Sequence, residues 1–245
     1  MAEGIFKRIT KTGAALAGNQ GLQLLGQLAV PPLFLIKYGV RGYSEWLVLT
    51  AAIGFLSVLN LGLHTYVINE LNVSYHQNDL QKFHELQSTC LILLVGISIL
   101  FSVIAGIVFI MPLKKYLNLA ALHYDISLTI YLLILQLLFT NIWGLIVGSY
   151  RATGRAFRGV MWMNMQKLLM FLSLIVGILL KFPFYMLAAI QFIAVILALV
   201  IVIYDRKLNF SDVYISFKYW NKTIAKNIIK PSLYFSLITF NNFLL

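Results

Sequence analysis

Acidic side chains are scarce: 8 Asp and Glu residues stand in a chain of 245, beside 19 Lys and Arg, and residues of either charge make up only 11%. A soluble domain is about a quarter charged and less apolar than the 60% found here, so a water-facing globular enzyme is nearly excluded. The single cysteine, Cys90, excludes an internal disulfide and a cysteine-based zinc site; at the start of an apolar run it reads as a buried, inert thiol. Metal and nucleotide motifs are missing too. His84-Glu85 has no second histidine at metalloprotease spacing, and Gly154 and Gly159 have the glycine spacing of a phosphate-binding loop with Val160 where its lysine is needed. Neither a metal nor a cofactor is implied, and energy from nucleotide hydrolysis is not expected from this chain.

What is present is length without charge. Uninterrupted apolar runs lie between Lys11 and Lys37, Glu45 and Glu70, Glu85 and Lys114, Asp125 and Arg151, and Lys181 and Asp205. Each clears the roughly 20 residues that cross about 30 Å of hydrocarbon. A further run, Gly159 to Leu180, is interrupted only by Lys167 and counts as the fifth of six spans. Backbone groups must be paired within lipid, and no alternating pattern suggests a barrel, so the runs are helices. The fold expected is an all-α, polytopic membrane bundle of six transmembrane helices plus the start of a seventh.

The net charge of +11 is then an orientation signal rather than a nucleic-acid footprint. Lys7, Arg8, Lys11, Lys82, Arg151, Arg155, Arg158 and the cluster from Arg206 to Lys230 collect on one side, against Lys37, Arg41, Lys114, Lys115 and Lys181 on the other. The N-terminus and the end of the sixth span are therefore expected in the cytoplasm. Residues 1–204 read as a six-helix lobe, 205–230 as a cytoplasmic linker, and 231–245, opening with Pro231, as a seventh helix too short to cross, the front part of a longer protein. Between Tyr214 and Lys230, lysines 218, 222, 226 and 230 fall on one helical stripe and Phe217, Trp220, Ile224 and Ile228 on the opposite face. That pattern predicts an amphipathic helix on the anionic membrane surface, with Trp220, Lys218, Lys222 and Lys226 as its contacts. Sequons at Asn72, Asn209 and Asn221 fall in expected cytoplasmic loops and carry no weight.

No Asp or Glu is expected inside a span: Glu45, Glu70, Asp125 and Asp205 all stand at boundaries. The spans do hold polar stripes. Asn19, Gln20, Gln23 and Gln27 share one face of the first, Thr50, Ser57, Asn60 and His64 one face of the second, and Thr129, Gln136, Thr140 and Gly144 one face of the fourth. Two readings compete, a hydrated cavity between helices and interhelical hydrogen bonding worth only about 0.6 kcal/mol per bond. Pro31-Pro32 predicts a kink, and Gly144 with Gly148 predicts close packing within the bundle rather than dimerisation. Lys167 either snorkels to the interface or gives a carboxylate-free cavity a positive charge suited to phosphate or pyrophosphate. His64 divides in the same way between packing and substrate contact.

The order of basic N-terminus, amide-bearing helix, double proline and KYGVRGYSEWLVLTAAIGFLSVLNLGLHTYVINEL (Lys37 to Leu71) resembles bacterial lipid-linked oligosaccharide flippases. These are the O-antigen and capsule exporters of the multidrug/oligosaccharidyl-lipid/polysaccharide superfamily. GSYRATGRAFRGVMWMNMQKLL (Gly148 to Leu169) is similar to that family's connection between helices four and five, and NIIKPSLYFSLITFNN (Asn227 to Asn242) to the start of its seventh helix. Asn60-Leu61-Gly62 departs from relatives that carry an acidic residue before Leu/Phe-Gly. The resemblance implies two six-helix lobes, of which this chain is the first, in the bacterial cytoplasmic membrane. It implies a non-enzymatic transporter that flips an undecaprenyl-pyrophosphate-linked oligosaccharide by alternating access. Membrane lipids, a polysaccharide polymerase and other assembly proteins are its implied partners, and nucleic acid is not among them. Asn19, Gln23, Gln27, Asn60, His64, Gln136 and Lys167 are the expected cavity-lining residues. The competing readings are a small-molecule efflux antiporter of the same fold, which needs a buried carboxylate, a membrane-embedded glycosyl- or acyltransferase using His64 or His123, and a purely structural membrane protein.

Overall fold

Apolar runs that must satisfy their own backbone in lipid leave helix as the one solution for single segments, and every regular element among the described residues is helical. The structure is a computed structural model that describes residues 2–58, 61–111, 126–210, 213–228, 231, 232 and 234. Helix α1 spans Ala2–Val58, α2 Leu61–His76, and α3 Leu80–Ala105, extended by a 3-10 turn at Gly106–Phe109. Helix α4 spans Ile126–Ala152, α5 Ala156–Leu179 and α6 Phe184–Asn209.

Among the described residues four helices are long and apolar enough to cross a membrane: Leu80–Phe109, Ile126–Ala152, Ala156–Leu179 and Phe184–Asn209. They coincide with the third to sixth expected spans. The first two expected spans fall on α1 and α2, where Asn19, Gln20, Gln23 and Gln27 dilute the hydropathy of the leading segment. Asn60, His123, Lys114, Lys115, Asp125, Lys230 and most of the expected seventh helix lie outside the described residues.

The break in α1 is not where the prolines predict it. Pro31 and Pro32 both sit inside the helix, and the backbone leaves helical values at Gly39, with φ 73° and ψ 177°. A proline forfeits a hydrogen bond yet keeps a helical φ, whereas Gly39 occupies a region closed to residues with a Cβ. The second segment of α1 turns back from this point, and the ends are tied by rings. Phe34 stacks on Trp46 with centroids 5.7 Å apart, Trp46 meets Phe184 edge-on at 5.4 Å, and the Tyr38 hydroxyl donates to the Phe182 carbonyl at 2.7 Å.

Helix α4 is the centre of the bundle: it packs most extensively on α6 and also touches α2, α3, α5 and α1. Small residues set the closest approach. A Cβ at Gly148 would stand 2.1 Å from Ile68 Cδ1, and one at Gly144 would stand 3.5 Å from the His64 ring. The Gly144/Gly148 pair therefore seats α2 on α4, as close packing within one bundle. The α4–α5 connection closes on Gly154 at φ 70°, with the Arg155 N–H donating to the Tyr150 carbonyl at 2.8 Å. That is the six-to-one closure of a left-handed helix cap.

The helix expected over Tyr214 to Lys230 needs correction. Helix α6 continues through Asn209, past the expected boundary at 204, and residues 214–221 are not helical. Among the described residues of this stretch the helix covers 222–228, started by Asn221, whose side-chain oxygen accepts from the N–H groups of Thr223 at 2.9 Å and Ile224 at 3.2 Å. Asn221 also donates to Glu85 at 2.8 Å, and its own N–H donates to Thr89 Oγ1 at 3.0 Å, while Tyr219 stacks on His84. These contacts with α3 outweigh the 3.6-residue periodicity. The apolar face is also spent differently, since Ala225 and Ile228 are buried against the bundle core, while Lys218, Trp220, Lys222 and Lys226 remain exposed.

Because no atom stands within 4 Å of a Cβ placed on Gly39, replacing it by Ala tests the dihedral alone. Gly39→Ala is expected to cost about 1–3 kcal/mol, whereas Gly21→Ala, on an open helical position, should stabilise by up to ~1 kcal/mol. Thermal unfolding in detergent reads the difference, and an unchanged Tm for Gly39→Ala would refute the assigned break.

Candidate functional site

Two polar assemblies stand out in a bundle this apolar. The first joins α1 to α5. Asn164 and Lys167 are three apart on α5 and so share a face. The Lys167 ammonium donates to Asn19 Oδ1 at 2.6 Å, the Asn19 amide donates to Asn164 Oδ1 at 2.7 Å, and the Asn164 amide donates to the Ala15 carbonyl at 2.8 Å. Asn19 is 8% exposed and Lys167 half-buried. Two of the expected cavity residues, Asn19 and Lys167, are thus in direct contact.

The remaining amides of α1 behave differently. Gln20, Gln23 and Gln27 are exposed, and among the described residues none of them has a hydrogen-bonding partner. Gln23 and Gln27 line a cavity of about 480 Å³ that α5 and α6 complete with Phe171, Leu174 and the buried Gln191. An unpartnered amide facing hydrocarbon costs roughly 1–3 kcal/mol or more. The α1 stripe is therefore divided: Asn19 is interhelical glue, and the three glutamines face a place that must offer polar partners.

Of the other expected site residues, Asn19, Lys167, His64 and Gln136 do not line this cavity. His64 donates Nε2–H to the Asn141 carbonyl at 2.5 Å and packs on Gly144, a joint between α2 and α4. Gln136 is half-buried on α4, with a side-chain oxygen that has no partner among the described residues. Two hydroxyls of the other stripes bond back to their own helices. Thr50 donates to the Trp46 carbonyl at 2.9 Å and Thr140 to the Gln136 carbonyl at 2.8 Å, so each is satisfied within its own helix.

The second assembly was not anticipated from the sequence. Asp205, expected at a boundary, lies inside α6 and is 8% exposed. Its carboxylate accepts from Tyr150 OH at 2.5 Å, Arg158 Nε at 3.1 Å, Trp162 Nε1 at 3.1 Å and Asn209 Nδ2 at 2.9 Å, and it forms a second, charge-assisted bond with Arg158 Nη2. Beside it Arg206 is 1% exposed and donates to Ser149 Oγ at 2.5 Å and to the Val213 carbonyl. The signal lay in spacing: Arg158 and Trp162 are i and i+4 on α5, as Asp205 and Asn209 are on α6. What periodicity does not encode is which faces meet. Among the described residues Glu45 is the other buried carboxylate, 6% exposed, with Oε1 3.5 Å from Arg41 Nε and Oε2 without a partner there.

The bundle has a structural relative. A solved transporter of the MOP superfamily from Pyrococcus furiosus matches 96% of this chain with a TM-score of 0.68 at 16% sequence identity. The chain shares the fold of about half of that protein. It spans 52% of that transporter's length. The polarity of that transporter's binding pocket is described as reversed, suggesting a different function for it. No protein-family model matches the chain, and no curated protein does.

Removing the Asp205 charge leaves Arg158 uncompensated. With the Arg158 side chain 41% exposed and screened by solvent, Asp205→Asn is expected to cost about 3 kcal/mol, the low end for a broken buried pair. Trp162→Phe, which deletes one donor, should cost about 1 kcal/mol. Denaturation of the two variants in detergent checks the order, and a larger loss for Trp162→Phe would contradict the role given to the carboxylate.

Proposed function

We propose that this chain forms one lobe of an alternating-access membrane transporter, and that its passenger is an undecaprenyl-pyrophosphate-linked oligosaccharide. It would be flipped across the bacterial cytoplasmic membrane in surface polysaccharide biosynthesis. The observation that carries this reading is the exposed, unpartnered row Gln20, Gln23 and Gln27 beside the Lys167–Asn19 pair. Amides supply donors and acceptors for sugar hydroxyls, and the ammonium supplies the charge for a pyrophosphate. The likeness in fold to about half of a MOP superfamily transporter supports this reading, in which the amide row would face a second lobe. In this reading all six apolar runs cross the bilayer and the N-terminus is cytoplasmic, with the exposed Lys218, Trp220, Lys222 and Lys226 meeting the anionic leaflet. A polysaccharide polymerase and other assembly proteins would receive the flipped product.

Glu45 favours a second reading, an ion-coupled efflux antiporter of the same fold, because it is buried with one carboxylate oxygen unpartnered among the described residues. Reconstituted proteoliposomes separate the two. A fluorescent lipid-linked sugar should be flipped by the unaltered protein and at least ten-fold more slowly by Lys167→Ala, with Lys167→Arg partly restored and expression intact. Loss of drug efflux in Glu45→Gln, with no sugar flipping by any form, would instead establish the antiporter.

A further inference from the structure

We propose that the cavity between α1, α5 and α6 holds one sugar ring by an N-acetyl substituent, with Gln191 and Gln27 reading the amide. The proposal rests on the sugar part of the transport reading and adds to it which substituent the cavity selects. Gln191 is the decisive residue. It lies inside α6, is 7% exposed and lines the cavity of about 480 Å³, and its amide has no hydrogen-bonding partner among the described residues. A carboxamide buried this far is costly to leave unpaired, so its place calls for a partner inside the cavity.

Further polar groups point to the same space. Gln23 and Gln27, four apart on α1, line it with amides that have no partner among the described residues either. Pro31 lines it as well and has no N–H to give, so the Gln27 carbonyl four residues back lacks its helical donor. The cavity thus offers carboxamide donors and acceptors from two helices and one backbone acceptor. It lies one turn beyond the Asn19–Lys167 pair on both α1 and α5, where a Cβ on Gly26 would stand 3.9 Å from Phe171 Cδ2.

Most of the wall is apolar, and this selects the substituent. Val30, Leu47, Met170, Phe171 and Leu174 line it, and Trp46, 4% exposed, is held in it by stacking on Phe34. A hexose with hydroxyls all round would set several of them unpaired against this wall. An acetamido group divides as the cavity does. Its N–H and C=O match the C=O and N–H of a carboxamide, its methyl takes the apolar contact, and the C–H face of the ring covers aromatic surface.

Saturation-transfer NMR of the purified full-length protein, offered methyl N-acetylglucosaminide and methyl glucoside together, tests the proposal. The acetamido sugar should be retained several-fold better, with its acetyl methyl the most strongly saturated group. Gln191→Leu should abolish the preference while keeping or raising the Tm, because it removes an unpaired amide from a buried position. Gln27→Leu, at an exposed position, gives the same readout should Gln191→Leu fail to fold, and Gln77→Leu, an exposed amide in the α2–α3 turn, should change nothing. Equal retention of the two sugars, retention of neither, or a preference that survives in the Gln191 and Gln27 variants would overturn the subsite. Proteoliposomes keep this apart from the transport reading. Equal flipping of lipid-linked acetamido sugar and lipid-linked hexose would overturn the subsite alone, whereas a binding preference with no flipping of either would overturn the transport reading alone.

Discussion

The Asp205 carboxylate draws hydrogen bonds from α4, α5 and its own α6 at one end of the bundle, and the arrangement of those three helices follows from satisfying it. A charge this buried is costly unless paired and fully hydrogen-bonded. Tyr150, Arg158, Trp162 and Asn209 meet that demand together, and each is usable only if α5 crosses α4 and α6 at one rotation. Arg206 then spans the gap to Ser149 and the Val213 carbonyl, holding the chain beyond α6 against the same end. The turn at Gly39 is held differently. Phe34, Tyr38, Trp46 and Phe184 close the turn at Gly39 by ring contact.

Fixing α5 in this way also fixes Asn164 and Lys167, because a helix rotates as a unit. Their side chains reach α1 and hold its leading segment by Asn19, which leaves Gln20, Gln23 and Gln27 exposed, the latter two on the cavity that α5 and α6 complete. The electrostatic clamp and the candidate cleft are thus consecutive turns of one helix. The bundle so built has a hydrogen-bonded seam joining α4, α5 and α6 and an exposed polar face on α1.

Run length and charge spacing were enough to read the helical class and to locate α3, α4, α5 and α6, because hydrocarbon thickness imposes a minimum length that few soluble helices meet. The Gly144/Gly148 approach was legible for a similar reason, as small residues four apart have one common use. The break at Gly39 was not, since a glycine in an apolar stretch looks alike whether it is helical or left-handed. The helix expected over Tyr214 to Lys230 failed where Asn221 met α3, a long-range contact that periodicity does not carry. Within the site, the amide stripe of α1 was visible as a stripe, but its division between glue and exposed face depends on Asn164, whose relevance emerges only when α5 lies beside α1. Asp205 and Arg206 were read as loop charges because a polar pair at the end of an apolar run has the same sequence whether it is solvated or buried.

The central claim is that the α1 glutamine face borders water within the membrane. Cysteine substitution with a membrane-impermeant maleimide tests it most directly, because the native Cys90 is fully buried and gives no background. Gln23→Cys and Gln27→Cys should label readily in intact membranes, while Leu28→Cys, 72% exposed on a different face of the same helix, should not. Failure of both glutamine positions to label, or equal labelling at position 28, would contradict the account.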